Sequence, residues 1–277
     1  MVVLWLASAA LAQDVLAQSG SAPDAKEIIQ RSVQRNMLNY ERLRNYTYFE
    51  HDEERTYDKH GKLTKTERHT FEVLILGGHD YERLVDHNDK PLSPKEAAKE
   101  QEKMDKEIEQ RQRETPDVKA KIEKQRREQR KFLDEIPEEF NFQLVGVENV
   151  SGKPAWVITA DPKPSYQPKE RGAKLISKMR GKIWVDQGEY QWVRIEAQAI
   201  GTLSYGFGLL RINPGATVRF EQTRVNDEVW LPASASIKVN GRAALVMGIH
   251  SEIDLRFRDY RKFQAESQLL TGEEESK

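Results

Sequence analysis

The turns in the last third of the chain are legible residue by residue, and they restrict this part to an antiparallel meander. Asp186-Gln187-Gly188-Glu189 separates Gly181–Val185 from Tyr190–Ile200, and Asn226-Asp227 separates Thr217–Val225 from Glu228–Val239. Asn240-Gly241 then leads into Arg242–Arg258. Asn-Gly is the strongest short-range hairpin signal, because both residues tolerate the positive φ of a type I′ turn. Long strands joined by tight turns make one large sheet, so the question becomes what its inner face holds.

The rest of the chain supplies more strands and a few helices. Asp24-Ala25-Lys26-Glu27 fits an Asp N-cap with Glu at N3, and Ile29, Val33, Met37 and Tyr40 form one apolar stripe on a helix running to about Arg42. Tyr46–Tyr57, Leu63–Leu76 and Tyr81–Asp86 read as a first three-stranded meander. Ser93-Pro94 then starts a segment built almost wholly from Lys, Glu, Gln and Arg, interrupted at Thr115-Pro116-Asp117. Two mostly solvated helices, 94–113 and 117–134, are expected there. Phe140–Glu148 and Pro154–Ala160 form a hairpin, and Gly201–Pro214 reads as a long connection. The expected fold is α+β: a large curved antiparallel sheet, an open half-barrel, with an N-terminal helix packed on it and a charged helical insertion at 93–136. The main domain spans 24–265, and an acidic tail at 266–277 is expected to be disordered.

Alternation along the strands assigns their faces. Val193, Ile195, Ala197 and Ala199 share one side of their strand, opposite Trp192, Arg194, Glu196 and Gln198. Val229, Leu231, Ala233, Ala235, Ile237 and Val239 share one side of another, and Pro232 within it suggests an edge or a bulge. The four alanines are small residues on the inner face. Either they leave a concave apolar cavity, or the Ile29/Val33/Met37 helix packs over them and fills the space.

Val2–Leu11 is an apolar run too short to span a bilayer, followed by Ala10-Leu11-Ala12 in an A-x-A pattern. It reads as a signal peptide over 1–12, cleaved near Ala12 and followed by a linker at 13–23, which places the protein in the periplasm. No Lys or Arg precedes the run, which departs from the usual n-region. The chain has no cysteine, which excludes disulfides, thiolate metal sites and a lipid-modified N-terminal Cys. Net charge is −1 with 32% charged residues, so no nucleic-acid partner is expected.

With the amphipathic helix Asp24–Arg42, the strands Gly181-Lys182-Ile183-Trp184-Val185-Asp186 and Trp192-Val193-Arg194-Ile195, and the late Val229-Trp230-Leu231-Pro232, the layout resembles the periplasmic lipoprotein-carrier superfamily, the LolA/LolB-like outer-membrane lipoprotein-sorting proteins. The resemblance covers most of residues 24–260. It implies an open sheet closed by helices and holding acyl chains. The charged helices at 94–134 lie outside that pattern.

Signatures of catalysis are absent or weak. The histidines at 51, 60, 69, 79, 87 and 250 have no metal-ligand spacing, no G-x-S-x-G occurs, and Gly206-Phe207-Gly208 is a lone glycine pair. No catalytic residue, cofactor or metal is expected. The expected function is non-catalytic binding of a lipid acyl chain or a lipidated protein, in the setting of outer-membrane lipoprotein sorting. The candidate ligand-binding residues are Val193, Ile195, Ala197, Ala199, Ala233, Ala235 and Ile237, with Trp184, Trp192 and Trp230 at the rim. The alternative is an envelope sensor or protein-interaction module with no cavity, contacting a partner protein through 94–134.

Overall fold

The computed structural model describes residues 23–205, 210–243 and 247–263. The apolar N-terminal run, its cleavage pattern and the acidic tail lie outside the described residues. Helix α1 (Ala25–Leu43) leads into β1 (Tyr46–Tyr57), β2 (Leu63–Leu76), β3 (His79–His87) and the short β4 (Lys90–Pro91). Helices α2 (Pro94–Gln112) and α3 (Pro116–Arg130) follow, then a 3-10 turn at Lys131–Asp134 and the short α4 (Ile136–Glu139). Next come the hairpin β5 (Phe140–Val150) and β6 (Lys153–Pro162), then α5 (Arg171–Ile176), β7 (Met179–Asp186) and β8 (Trp192–Ala199). The chain continues through β9 (Leu203–Tyr205), β10 (Leu210–Ile212), β11 (Thr217–Val225), β12 (Val229–Ala243) and β13 (Met247–Lys262).

The strands form one 13-stranded sheet in the order β4-β3-β2-β1-β13-β12-β11-β8-β7-β6-β5, with β10 beside β12 and β9 beside β10. Every pairing along it is antiparallel. Because β4 and β5 end the path without pairing, the sheet is an open half-barrel, and the α+β reading holds. The first strand pairs with the last, β1 with β13, which joins the two meanders.

Turn chemistry explains most of the hairpins. Asn226 and Asp227 have φ of 51° and 54°, as a type I′ turn requires. Asp186 tightens the β7–β8 turn by accepting from the backbone N–H of Gly188 at 3.0 Å and of Glu189 at 2.7 Å. Asn240-Gly241 departs from expectation. Strand β12 runs straight through it, with Asn240 paired to His250 and Gly241 to Ile249, and the link to β13 falls at 244–246, outside the described residues. The glycine answers to a distant contact instead. A Cβ at Gly241 would lie 2.2 Å from the carbonyl oxygen of Arg211 on β10. The stretch Gly201–Pro214, expected as a plain connection, supplies β9 and β10 to the sheet.

The charged insertion forms α2 and α3, neither of which buries a residue. Ser93 and Glu96 make a full capping box, and Thr115 caps α3. Arginines tie the pair to the β2–β3 turn. Arg111 donates to the carbonyls of Leu76 at 2.7 Å, His79 at 2.9 Å and Asp80 at 3.2 Å. Arg126 donates to His79 Nδ1 at 3.0 Å, and burial together with Arg126 and Arg111 holds that imidazole below its usual range, so it accepts as the neutral form. Arg44, at the end of α1, bridges Glu123 at 2.8 Å and the Gly78 carbonyl at 3.1 Å.

Gly181 repeats the close approach seen at Gly241: a Cβ there would lie 2.2 Å from the carbonyl oxygen of Glu196 on β8. Gly181→Ala and Gly241→Ala are each expected to cost about 1–3 kcal/mol through backbone displacement. Gly146→Ala, where a Cβ meets nothing within 4 Å, should stay within about 0.5 kcal/mol. Urea unfolding of the three variants, read as midpoints at constant slope, checks this ordering.

Candidate functional site

Helix α1 changes character halfway along. Its N-terminus is capped by Asp24, whose carboxylate accepts from Lys26 N–H at 3.3 Å. Over the first half, Ile28, Ile29 and Val33 are buried against Ile158, Ile183 and Val185 of the sheet. Beyond Val33 two polar residues join Met37, Tyr40 and Leu43 on the inward side. Asn36 is buried, and Asn39 makes two hydrogen bonds to the backbone of Trp230, donating to its carbonyl at 2.5 Å and accepting from its N–H at 2.9 Å. The helix therefore covers Ile158, Ile183 and Val185 and stands off from the next part of the sheet; none of the four alanines belongs to the cluster it covers.

A cavity of about 460 Å³ opens where α1 stands off. Ile183, Ile195, Ala197 and Phe220 line it from the sheet, and Phe140 and Phe142 line it from β5. Phe132, Leu133 and Ile136 close it from the segment after α3, and Tyr40 and Leu43 cover it from α1. The small side chain of Ala197 leaves volume here that a larger residue on β8 would fill. This size and this predominantly apolar lining suit an alkyl or aromatic ligand.

The structure places the ten residues singled out from sequence in several environments. Ile195, Ala197, Trp192 and Trp230 line the cavity. Val193 and Trp184 pack together with Val150, Ala155, Val157 and Trp230 in a separate cluster. The cause is a bulge: Trp184 pairs with Arg194 but Val185 with Trp192, so Val193 is the extra residue and the alternation slips there. Ala199 packs with Leu203 and Ala216 under Leu175 and Met179. A second bulge leaves Ala233 unpaired between Pro232, opposite Gln222, and Ser234, opposite Glu221. Ala235 and Ile237 pair onward with Leu255 and Ile253, half-buried and outside the cavity lining.

Sequence reading gave no sign of the charged groups at this site. Arg130, the last residue of α3, lines the cavity; it donates to Asn36 Oδ1 at 2.7 Å and lies 3.9 Å from the centre of the Tyr40 ring. Burial pushes its guanidinium below the usual range, and among the described residues no carboxylate pairs with it. Outside the cavity lining, at the end of α4, Glu139 is 0% exposed with neither carboxylate oxygen hydrogen-bonded. Burial, and then the nearby Glu135 charge, pushes it from 4.5 up to about 7. Glu135 itself is held low. Burial opposes its ionisation, but the N–H groups of Lys169 at 3.0 Å and Glu170 at 2.7 Å and the Tyr166 hydroxyl at 2.8 Å outweigh that.

No family model matches the chain, and no curated protein matches it. Among solved structures it is similar to a DUF1329 family protein from Desulfovibrio piger, at 12% identity and a TM-score of 0.34, over 87% of this chain and 94% of that one. It is also similar to a LolA superfamily protein from Nitrosomonas europaea, at 12% identity and a TM-score of 0.32, over 88% and 94% of the two chains. A third is an outer membrane lipoprotein-sorting protein domain from Vibrio parahaemolyticus, at 11% identity and a TM-score of 0.33, over 87% and 95%. At these identities and TM-scores the likeness assigns no residue of the cavity.

The Glu139 carboxyl gives a pH dependence of stability with a definite sign. Its folded value lies above its unfolded one, so its contribution is fully present below about pH 4.5 and is lost as pH rises through about 7. Glu139→Gln, which keeps the shape without the charge, should be more stable than the natural chain at pH 8, on the order of 1–3 kcal/mol. The difference should shrink toward pH 5. Urea unfolding at both pH values measures it, and a gap independent of pH would mean that the side chain does not titrate in this range.

Proposed function

We propose that this chain is an exported, non-catalytic binding protein that holds a lipid acyl chain, or the acyl chain of a lipidated protein, in the cavity beneath α1. The observation that carries this reading is the apolar volume of about 460 Å³ between the sheet, the end of α1 and the segment Phe132–Ile136. Such a site works by removing alkyl surface from water. About ten buried methylenes contribute roughly 8 kcal/mol before the cost of association, so chain burial is the main driving term and the polar end must add to it for tight binding. The apolar run Val2–Leu11 with Ala10-Leu11-Ala12 supports export to the periplasm. The layout shared with lipoprotein carriers supports a role beside outer-membrane lipoprotein sorting.

A second reading assigns the arm α2–α3 to a partner protein of the envelope. It is favoured by the complete lack of buried residues in both helices, which therefore contribute nothing to the core. The two readings are compatible, since only Arg130 at the end of the arm reaches the cavity.

Mass spectrometry of lipids extracted from natively purified protein should recover acyl species in stoichiometric amount. Ala197→Leu, which fills the cavity from β8, should lower affinity for a fluorescent fatty-acid probe at least about tenfold. It should also raise stability by about 0.5–2 kcal/mol, because the added methylenes occupy existing space. A lipid-free protein that also ignores the probe would remove the carrier reading.

A further inference from the structure

The cavity contains one feature that an alkyl chain does not need. Arg130 reaches it from the C-terminal end of α3, half-buried, and places a guanidinium in a predominantly apolar lining. A guanidinium carries five N–H donors in a planar fork. Here one is used, on Asn36 Oδ1 at 2.7 Å, while Tyr40 covers the plane at 3.9 Å. Three neighbouring arginines are matched. Arg126 and Arg44 both pair with Glu123, and Arg111 pairs with Glu107 and fills three backbone carbonyls. Among the described residues Arg130 forms no ion pair, although α2 and α3 are rich in carboxylates; Glu41 favours its charge only from beyond contact, and burial outweighs it.

A half-buried cation without a counter-charge is costly unless something anionic completes it. Asn36 and Tyr40 fix the fork from α1, so its rotamer is set before any ligand arrives. We propose that Arg130 is the head-group receptor of this site, and that the ligand is a single-chain anionic amphiphile whose carboxylate or phosphate pairs with the guanidinium while its chain fills the cavity. This inference rests on the acyl-chain reading and adds the polar half of the ligand to it. Arg180, Lys182 and Glu196 also belong to the lining, but Arg180 is engaged by Asp161 at 3.3 Å, Lys182 is exposed and Glu196 lies 3.7 Å from Arg219, so none presents the same desolvated positive charge.

The test uses four probes of equal chain length, titrated at pH 7.5 against the intrinsic fluorescence of the full chain, since Trp192 and Trp230 line the cavity. Dodecanoate and dodecyl phosphate carry the two candidate anionic heads; dodecan-1-ol is neutral and dodecylamine cationic. The natural protein should bind at least one anionic probe about tenfold or more tighter than the alcohol, and the amine most weakly. Which anion binds tighter distinguishes a free fatty acid from a phosphate-headed lipid. Arg130→Gln should reduce anion affinity to near that variant's own affinity for the alcohol, and Arg130→Lys should restore part of the preference. A natural protein that binds the anionic and neutral probes alike overturns the inference and leaves the cavity reading standing, with no dependence on whether a variant folds. Loss of the preference in Lys182→Gln but not in Arg130→Gln overturns it as well. Failure of all four probes to bind overturns both readings.

Discussion

The side chain of Asn39 does for Trp230 what a neighbouring strand would otherwise do. Strand β12 is paired with β11 along one edge, but β13 joins its other edge only from Ser234 onward. From Trp230 to Pro232 that second edge has no strand beside it. A buried edge with open N–H and C=O groups costs about 1–3 kcal/mol for each one left unmet. Asn39 satisfies both groups of Trp230, the Tyr260 hydroxyl donates to the Pro232 carbonyl at 2.6 Å, and Pro232 has no N–H to satisfy. The parting of β12 from β13 is thereby stable, and α1 enters the gap.

That entry fixes the height of the helix over the sheet. The first half of α1 lies in full contact through Ile28, Ile29 and Val33, and its far end is held at the distance set by two hydrogen bonds. A helix anchored at both places cannot settle onto Ile195 and Ala197 to close the space between. The cavity is then a property of the anchoring rather than a packing defect, and its other walls come from segments with independent supports. Glu135 organises the loop at 166–170 behind Ile136, and the arm carries Phe132 at its end.

The architecture was legible in the sequence because hairpins are written locally. Asn226-Asp227, Asp186 with its glycine, and the three strands between Tyr46 and His87 needed no information from elsewhere in the chain. What failed to show was set by distant partners. Gly241 looked like a turn residue, but its bare Cα is required by Arg211 on another strand. Simple alternation put Val193 beside Ile195 and Ala233 beside Ala235, and two bulges, each a single extra residue, broke that count. Arg130 was one cation in a basic helix until the fold half-buried it in the cavity lining without an ion pair. A signal was present in α1, where Asn36 and Asn39 continue a buried stripe in polar residues; a helix that buries asparagines at that spacing has partners waiting for them.

The segment that closes the cavity is also the end of the arm. Phe132, Leu133 and Ile136 follow α3 without an intervening loop, and α3 is fastened through side chains, to the sheet by Arg126 on His79 and to the end of α1 by Arg44 on Glu123. The arm and the cavity are therefore two ends of one lever. Any molecule that draws α2–α3 away from the β2–β3 turn also moves a wall of the cavity, and the reverse holds with the same free energy. A ligand that favours one position of the arm must change the affinity of an arm-binding partner by the same factor that the partner changes its own. Loading would then be sensed on the outer surface of the protein, with no contact between the two molecules.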